Sequence, residues 1–413
     1  MGESATFFPI AYVAAAFPLV SETFVYREVR GLRQRGWTVV TVSLNPTTAA
    51  VKELGDLGRD RVVLYGREMP GTLLAAAREI LAHPMNSAIT LSTAIGDAIR
   101  PEERLSVGER LKLPMQAVAA TGLARRLRAG GVRHIHCHFA HAAASVGMYA
   151  AMQMGIPFSF TGHANDLFQR RTILKAKLRR ARFVACISRW HRDFYNSIFP
   201  DTSGKYEVIR CGVELGDAKV PSPRQGPLRI LTVCRLVKKK GIDTLIGAVA
   251  ELNRRGIDVR LTIAGDGPER ERLEKMAAES GCGQRVAWLG EVANSRVFSL
   301  LKEADVVALP CRQDSRGDRD GIPVVLMEAM ASGTPVVAGN LPAIGELVEE
   351  GISGFLVDGN DPAAVADKLA MLWDNADLSR RLAQEGRKKI ASEFSLARTL
   401  DQLERRFAAG QGS

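Results

Sequence analysis

Short apolar runs alternate with helix-patterned segments along most of the chain, and the alternation occurs twice. "PIAYVAAAF" leads into "SETFVYREVRGLRQRG" and then "WTVVTVSL"; "HIHCHF" leads into "AHAAASVGMYAAMQMG", followed by "PFSFTGH" and "FVACIS". Strands that recur only after a helix cannot pair as hairpins. They must return by crossovers, which builds parallel sheet covered by helices on both faces. The pattern breaks at the proline-bearing "GDAKVPSPRQGP". It restarts with "LRILTVCRLV", "VRLTIAGDG", "RVAWLG", "DVVALP", "TPVVAG" and "GFLV". The expected fold is therefore α/β, with two Rossmann-like domains over 1–212 and 228–390 joined by a linker at 213–227. The segment 391–413 carries one amphipathic helix that packs back on the first domain.

Composition narrows the class. With 46% hydrophobic and 24% charged residues among 413, the chain has an ordinary soluble make-up. It has no apolar run of about 18 residues, so no membrane span is expected. The opening "MGESATFFPIAYVAAAFPLV" has Glu3 and no basic start, so its apolar core reads as a buried strand rather than a secretory leader. Six scattered cysteines without a CxxC pair argue against a zinc ribbon or a thioredoxin motif. They suit a reducing compartment, so a cytoplasmic location is expected. No GxGxxG follows the first strand, which argues against a nicotinamide cofactor.

The net charge of +11 favours acidic partners. No nucleic-acid motif and no interleaving of basic and aromatic residues accompanies it, so nucleic acid is not the expected partner. Between Leu167 and Arg182 lie seven basic residues and no acid. This run reads either as a solvated helix face or as a helix resting peripherally on an anionic membrane, at the inner face of the plasma membrane. In the second reading Leu167, Ile173, Leu174 and Leu178 dip into the interface.

The chemistry concentrates in "DRDGIPVVLMEAMASGTPVV" (318–337). Gly321, Ile322 and Pro323 close a loop, and Pro323 suits a first helical turn. The helix that follows leaves free N–H groups and partial positive charge at its start, a cradle for phosphate. Glu328, inside that helix, is placed to accept hydrogen bonds from a ribose, and Asp320, before it, from the hydroxyls of a sugar. A nucleoside diphosphate sugar satisfies all three elements. Arg235 at a strand end and Lys240 before the next helix offer a clamp for its diphosphate. Gly265, in "AGDGP", opens a third strand end to close backbone approach. His134, His136, His138 and His141 have metal-like spacing, but no acidic or Cys partner in the local sequence completes a set, so no metal is expected.

Together "R-x4-KG", "GDGP" and Asp320 with "EAMASGTPVV" resemble the retaining family-4 glycosyltransferases of the glycogen-synthase-like and sucrose-synthase-like group. "FPLVSETFVYREVRGL", "HIHCHFAHAAA" and "FSFTGHANDLF" are similar to the branch that builds bacterial exopolysaccharides, including colanic acid. The resemblance implies the GT-B fold, two Rossmann-like domains facing a cleft, and transfer from a nucleotide sugar to a hydroxyl acceptor, a glycan or a lipid-linked precursor. Other GT-B activities, phosphorolysis or epimerisation of a nucleotide sugar, are the alternatives. The resemblance assigns the donor ribose to Glu328 and the transferred sugar to Asp320. It assigns the diphosphate to Arg235, Lys240 and the backbone of Gly321, Ile322, Pro323, Val324 and Val325. His163 is placed beside the anomeric carbon, and neither a cofactor nor a metal is required. Ser21, Glu22, Thr23 and His138 fall to the acceptor side, with Ser21 capping the first helix. Asp320 is one methylene shorter than the family's usual Glu.

Overall fold

A computed structural model of the protein describes residues 7–19, 22–47, 57, 61–163, 171–217 and 226–409. The chain divides into two compact units, residues 1–210 with 399–413, and residues 211–398. Ser21, Leu167 and most of the expected linker lie outside the described residues.

The first unit holds a seven-stranded parallel sheet. Its strands are β1 (Ile10–Ala16), β2 (Val39–Asn45), β3 (Val62–Val63), β4 (His134–His138), β5 (Phe158–Gly162), β6 (Val184–Cys186) and β7 (Tyr206–Val208). Their spatial order is β3-β2-β1-β4-β5-β6-β7. β1 pairs with β4 in the register Ile10–His134 and Tyr12–His136. β4 and β5 are buried along their whole length, as helix-covered parallel strands must be.

The second unit repeats the plan with β8 (Leu228–Val233), β9 (Val259–Ala264), β10 (Val286–Gly290), β11 (Val306–Leu309), β12 (Val336–Gly339) and β13 (Phe355–Val357). The order is β10-β9-β8-β11-β12-β13, again parallel. Each sheet reverses its winding once, at β1/β4 and at β8/β11. Loops leaving the two strands at such a point diverge and open a crevice beyond their carboxyl ends, where ligands bind in open α/β sheets. Every strand foreseen in the sequence is present.

Between β3 and β4 the first unit carries three helices, Met69–Ala82, Pro84–Ile99 and Val107–Ala129, which the strand–helix alternation does not announce. The third has a complete capping box. The Ser106 hydroxyl accepts from the Glu109 N–H, and the Glu109 carboxylate accepts from the Ser106 N–H at 2.9 Å. Among the described residues no helix is long and apolar enough to cross a membrane.

The last helix, Leu396–Ala408, belongs to the first unit from Thr399 onward. Arg35 donates to Asp401 at 2.7 Å and to Glu404 at 2.6 Å, and the Trp37 indole N–H donates to Glu404 at 2.9 Å. The buried Phe407 ring packs 5.8 Å from Trp37, 5.1 Å from His134 and 5.9 Å from Phe183. Exposed ion pairs of this kind add little, whereas a fully buried aromatic ring is worth several kcal/mol. Phe407→Ala is therefore expected to destabilise the first unit by about 3–5 kcal/mol. A fall in the urea midpoint, followed by Trp37 fluorescence, measures it; an unchanged midpoint means the helix is not anchored by this ring.

Candidate functional site

The loop after β11 and the helix Val324–Ala331 place the acidic motif at the switch point of the second sheet. The helix begins at Val324, with Pro323 as its N-cap in extended backbone (φ −66°, ψ 128°). Pro323 thus precedes the first turn instead of occupying it; proline has no N–H to lose at the cap and its fixed φ suits both positions. The helix is buried on all sides except at Val324, and Glu328, 5% exposed, is its only charged residue. It stops at Ser332, and Gly333 follows with φ 74°, a left-handed conformation that favours glycine.

Asp320 and Lys240, separate in the sequence reading, form one ion pair at 2.8 Å. Lys239 stands 3.3 Å from Asp320 and 3.0 Å from Asp318, and the Cys311 thiol donates to Asp320 at 3.1 Å. Burial alone would raise the Asp320 carboxyl; Lys240, Lys239 and the thiol outweigh it and hold the group below the ordinary Asp value. Lys240 is the mirror case: burial would lower its ammonium, but Asp320 holds it above the usual lysine value. Burial pushes the Cys234 thiol up to about 11, so it stays protonated. Arg235, by contrast, is exposed and makes no ion pair among the described residues.

Sequence reasoning missed Arg312, which braces the cluster from behind. Its guanidinium donates to both Asp243 oxygens, at 2.8 and 2.7 Å, and to the Thr244 hydroxyl at 2.8 Å. The signal was available only as an Arg three residues past a strand. Gly265 also answers a packing demand. A Cβ there would lie 1.9 Å from the Cys234 carbonyl oxygen, and φ is 129°, so packing between adjacent strand-end loops already requires glycine.

At the switch point of the first sheet the histidines form two hydrogen-bonded chains. His134 and His136 both meet the Ser159 hydroxyl, at 2.7 and 2.8 Å, and His136 reaches the Thr161 hydroxyl at 2.9 Å. The second chain runs from His163 Nε2 to His138 Nδ1 at 3.3 Å, then from His138 Nε2 to Glu28 at 3.2 Å, with the Tyr12 hydroxyl donating to Glu28 at 3.3 Å. An acidic partner is therefore present after all. Glu28 comes from the first helix, Thr23–Gln34, and its carboxylate and the rings of His136 and His138 lie within 4.8 Å of one another. Both ring nitrogens of His136 and of His138 are already engaged, so the trio is a satisfied polar network.

Burial, then the neighbouring histidines, pushes His163 well below the ordinary histidine value, and burial pushes His134 to about 3, so both rings are neutral at pH 7. Phe24 and Phe139 pack on the His163 ring at 4.6 and 4.4 Å. Phe139 itself has φ 69°, a strained backbone for a non-glycine residue and one found preferentially at functional sites. Glu22 is the N-cap of the first helix, a place the sequence reading assigned to Ser21, and makes no side-chain cap. The Thr23 hydroxyl is buried without a hydrogen-bond partner among the described residues. Over its described residues the basic run does not present Ile173, Leu174 and Leu178 outward: they are buried in the core, and Lys177 is buried, donating to the carbonyls of Ala140, His141 and Thr172. Their spacing, one helical turn apart, serves the core.

Comparison with known proteins meets this geometry. The family model described as Glycosyl transferases group 1 matches residues 217–389, and that described as Glycosyltransferase Family 4 matches residues 21–217. Between them they span residues 21–389, which hold every strand of both sheets except β1, and the chain belongs to the family-4 glycosyltransferases, with the GT-B fold. A putative colanic acid biosynthesis glycosyltransferase, WcaL of Salmonella typhimurium, is 36% identical over 195 residues, 46% of this chain and 48% of that one. A GDP-mannose-dependent phosphatidylinositol monomannoside mannosyltransferase of Mycobacterium tuberculosis is 36% identical over 166 residues, 40% of this chain and 43% of that one. The match spans about half the length of these curated relatives. Among solved structures, sucrose-phosphate synthase of Thermosynechococcus elongatus superposes with a TM-score of 0.72 at 19% identity, covering 98% of this chain and all of that one. HepE of Anabaena, in complex with UDP and glucose, gives 0.69 at 17%, covering 97% and 100%. At such identity these likenesses show the fold.

The Lys240–Asp320 pair carries a sign for its pH dependence. Asp320 titrates below its unfolded value of about 3.9, so its contribution is complete above that pH and is lost as pH falls through the lower folded value. Lys240, raised above about 10.4, contributes below that pH and loses its share as pH rises through the higher folded value. Lys240→Met should cost about 3 kcal/mol, because it leaves a largely buried carboxylate short of its partner. It should also move the acid-unfolding midpoint of the second unit to higher pH. A midpoint equal to wild type, followed by circular dichroism, would show that Lys239 alone suffices.

Proposed function

We propose that the protein is a retaining glycosyltransferase that moves a sugar from a nucleoside diphosphate sugar to a hydroxyl acceptor in exopolysaccharide assembly. The observation that carries this reading is the largely buried Lys240–Asp320 pair, set before the N-terminus of the Glu328 helix. An ammonium has three N–H donors, so Lys240 can hold Asp320 with one and offer the others to a phosphate oxygen. Asp320 then accepts from hydroxyls of the transferred sugar, and Glu328 from those of the ribose. Arg235, Gly265 and the backbone of Gly321, Ile322, Pro323, Val324 and Val325 line the diphosphate. Lys240, Arg235 and the helix end stabilise the charge that develops on the departing diphosphate. That is the service a divalent ion performs elsewhere, and the reaction is expected to need none.

The first unit supplies the acceptor side through Glu22 and Thr23, with Ser21 nearby in sequence, and His163 as the neutral histidine at the reacting sugar; His138, fully buried with both ring nitrogens engaged, does not meet the acceptor as the sequence suggested but links His163 to Glu28. The low pKa of His163 leaves it able to donate or accept one hydrogen bond without carrying charge. The bond from the anomeric carbon to the diphosphate breaks as the acceptor oxygen attacks from the same face, and the leaving phosphate oxygen takes the acceptor's proton. The similarity to WcaL and to the amylovoran glycosyltransferase AmsK of Erwinia amylovora supports a polysaccharide precursor as the acceptor, and we propose that this precursor is borne on a lipid.

Two measurements test this. Glu328→Ala should weaken nucleoside diphosphate binding by about 1.5–3 kcal/mol, the worth of hydrogen bonds to a carboxylate; equal affinity by calorimetry removes the ribose role. With a UDP-, GDP- or ADP-sugar that is turned over, the product's anomeric proton should show the donor's configuration by NMR, and the rate should survive EDTA. An inverted product, or a rate abolished by EDTA and restored by Mg²⁺, overturns the mechanism.

A further inference from the structure

Exposed apolar surface is concentrated in one place. Among the described residues, ten of the fifteen large apolar side chains that stand exposed lie between 73 and 115, on the three helices inserted between β3 and β4. Leu81 is 83% exposed and Met85 75%, and they flank the single residue, His83, that separates the first two helices. Val107, Leu111 and Met115 follow at intervals of four on the third helix, one above the other on a single stripe. Along Met69–Ile99 the only exposed charge is Arg78. Scattered exposed leucines need no explanation, but a concentration of this size marks an interaction surface.

The charges around it identify the partner. Every acidic residue from 79 to 129 is already engaged. Glu79 meets Arg128 at 3.1 Å, Asp97 meets Arg180 at 3.1 Å, and Glu102 pairs with Arg179. Glu103 accepts from the Lys175 N–H at 2.7 Å, and Glu109 closes the Ser106 capping box. The cations interspersed with the apolar residues are not so held: Arg78, Arg100, Arg104, Arg110 and Lys112 are exposed and form no ion pair among the described residues. A surface that offers bare apolar side chains with uncompensated positive charge is complementary to an anionic bilayer, whose headgroups take the cations while the apolar side chains enter the acyl boundary. A second copy of the chain is the poorer fit, because a two-fold interface sets the same patch against itself and brings these cations together. We infer that the helical insertion 69–115 is the surface by which the protein docks on anionic membrane.

The test is co-sedimentation of the full chain with vesicles of phosphatidylcholine alone or with phosphatidylglycerol, at low and high salt. It is read without donor sugar, so its outcome is independent of the transferase reading. Wild type should pellet with the anionic vesicles and release at high salt. Removing three charges, as Arg104→Ser, Arg110→Ser and Lys112→Ser together, should lower the partition coefficient about a hundredfold, at roughly fivefold per charge. Leu81→Gln with Met85→Gln should weaken binding to both vesicle types, and Phe298→Gln in the second unit should change nothing. All these side chains are exposed, and equal thermal midpoints confirm folding. Wild type that stays in the supernatant, or variants that bind as it does, overturns the inference. So does a dimer in sedimentation velocity that Leu81→Gln with Met85→Gln dissociates, since the face is then a subunit interface.

Discussion

A largely buried carboxylate held by a largely buried ammonium is the constraint on which the second unit's site depends. Neither Asp320 nor Lys240 is tolerable alone at that depth, because removing a charge from water costs several kcal/mol unless a partner stands within hydrogen-bond reach. The pair therefore fixes the loop after β11 against the turn after β8. That fixed loop in turn sets where the helix Val324–Ala331 begins and where Glu328 sits within it. Arg312 on Asp243 and Thr244 does the same from the far side of the loop. The arrangement is preorganised: its charges are in place before any ligand arrives, which is the condition under which electrostatics contributes most to catalysis.

The first unit solves the opposite problem. His134, His136 and His163 are buried and uncharged, and each ring nitrogen of His136 and His138 is assigned a partner. A fully satisfied polar network rigidifies its surroundings, and here it ends on His163, which is also packed between two phenyl rings. The strained Phe139 backbone is the cost of bringing one of those rings over. Tyr12 and Glu28, far apart in sequence from the histidines, complete the network because β1 lies beside β4 and the first helix follows β1.

Much of this was legible in the residues. Alternation of strand and helix, broken once by a proline-bearing stretch, determined two parallel α/β sheets, because strands separated by helices have no other way to pair. Helix start and stop signals around Pro323 and Gly333 placed Glu328 in a helix and Asp320 before it, since those signals act within one turn of chain. Leu396–Ala408 was visible by its apolar period.

Tertiary structure alone decided which charges meet. Asp320 and Lys240 are eighty residues apart, and His138 and Glu28 one hundred and ten. Local sequence carries no information about such pairs until strand order brings their loops together. The same limit misdirected the basic run. Leu174 and Leu178 have the spacing of an interfacial helix, yet they face the core, because periodicity says that a helix has an apolar side and not which solvent that side meets. Conversely, the strand–helix alternation does not announce the helices of the insertion 69–115. Only the fold, by covering one side of it and leaving the other bare, makes Leu81 and Met85 a surface.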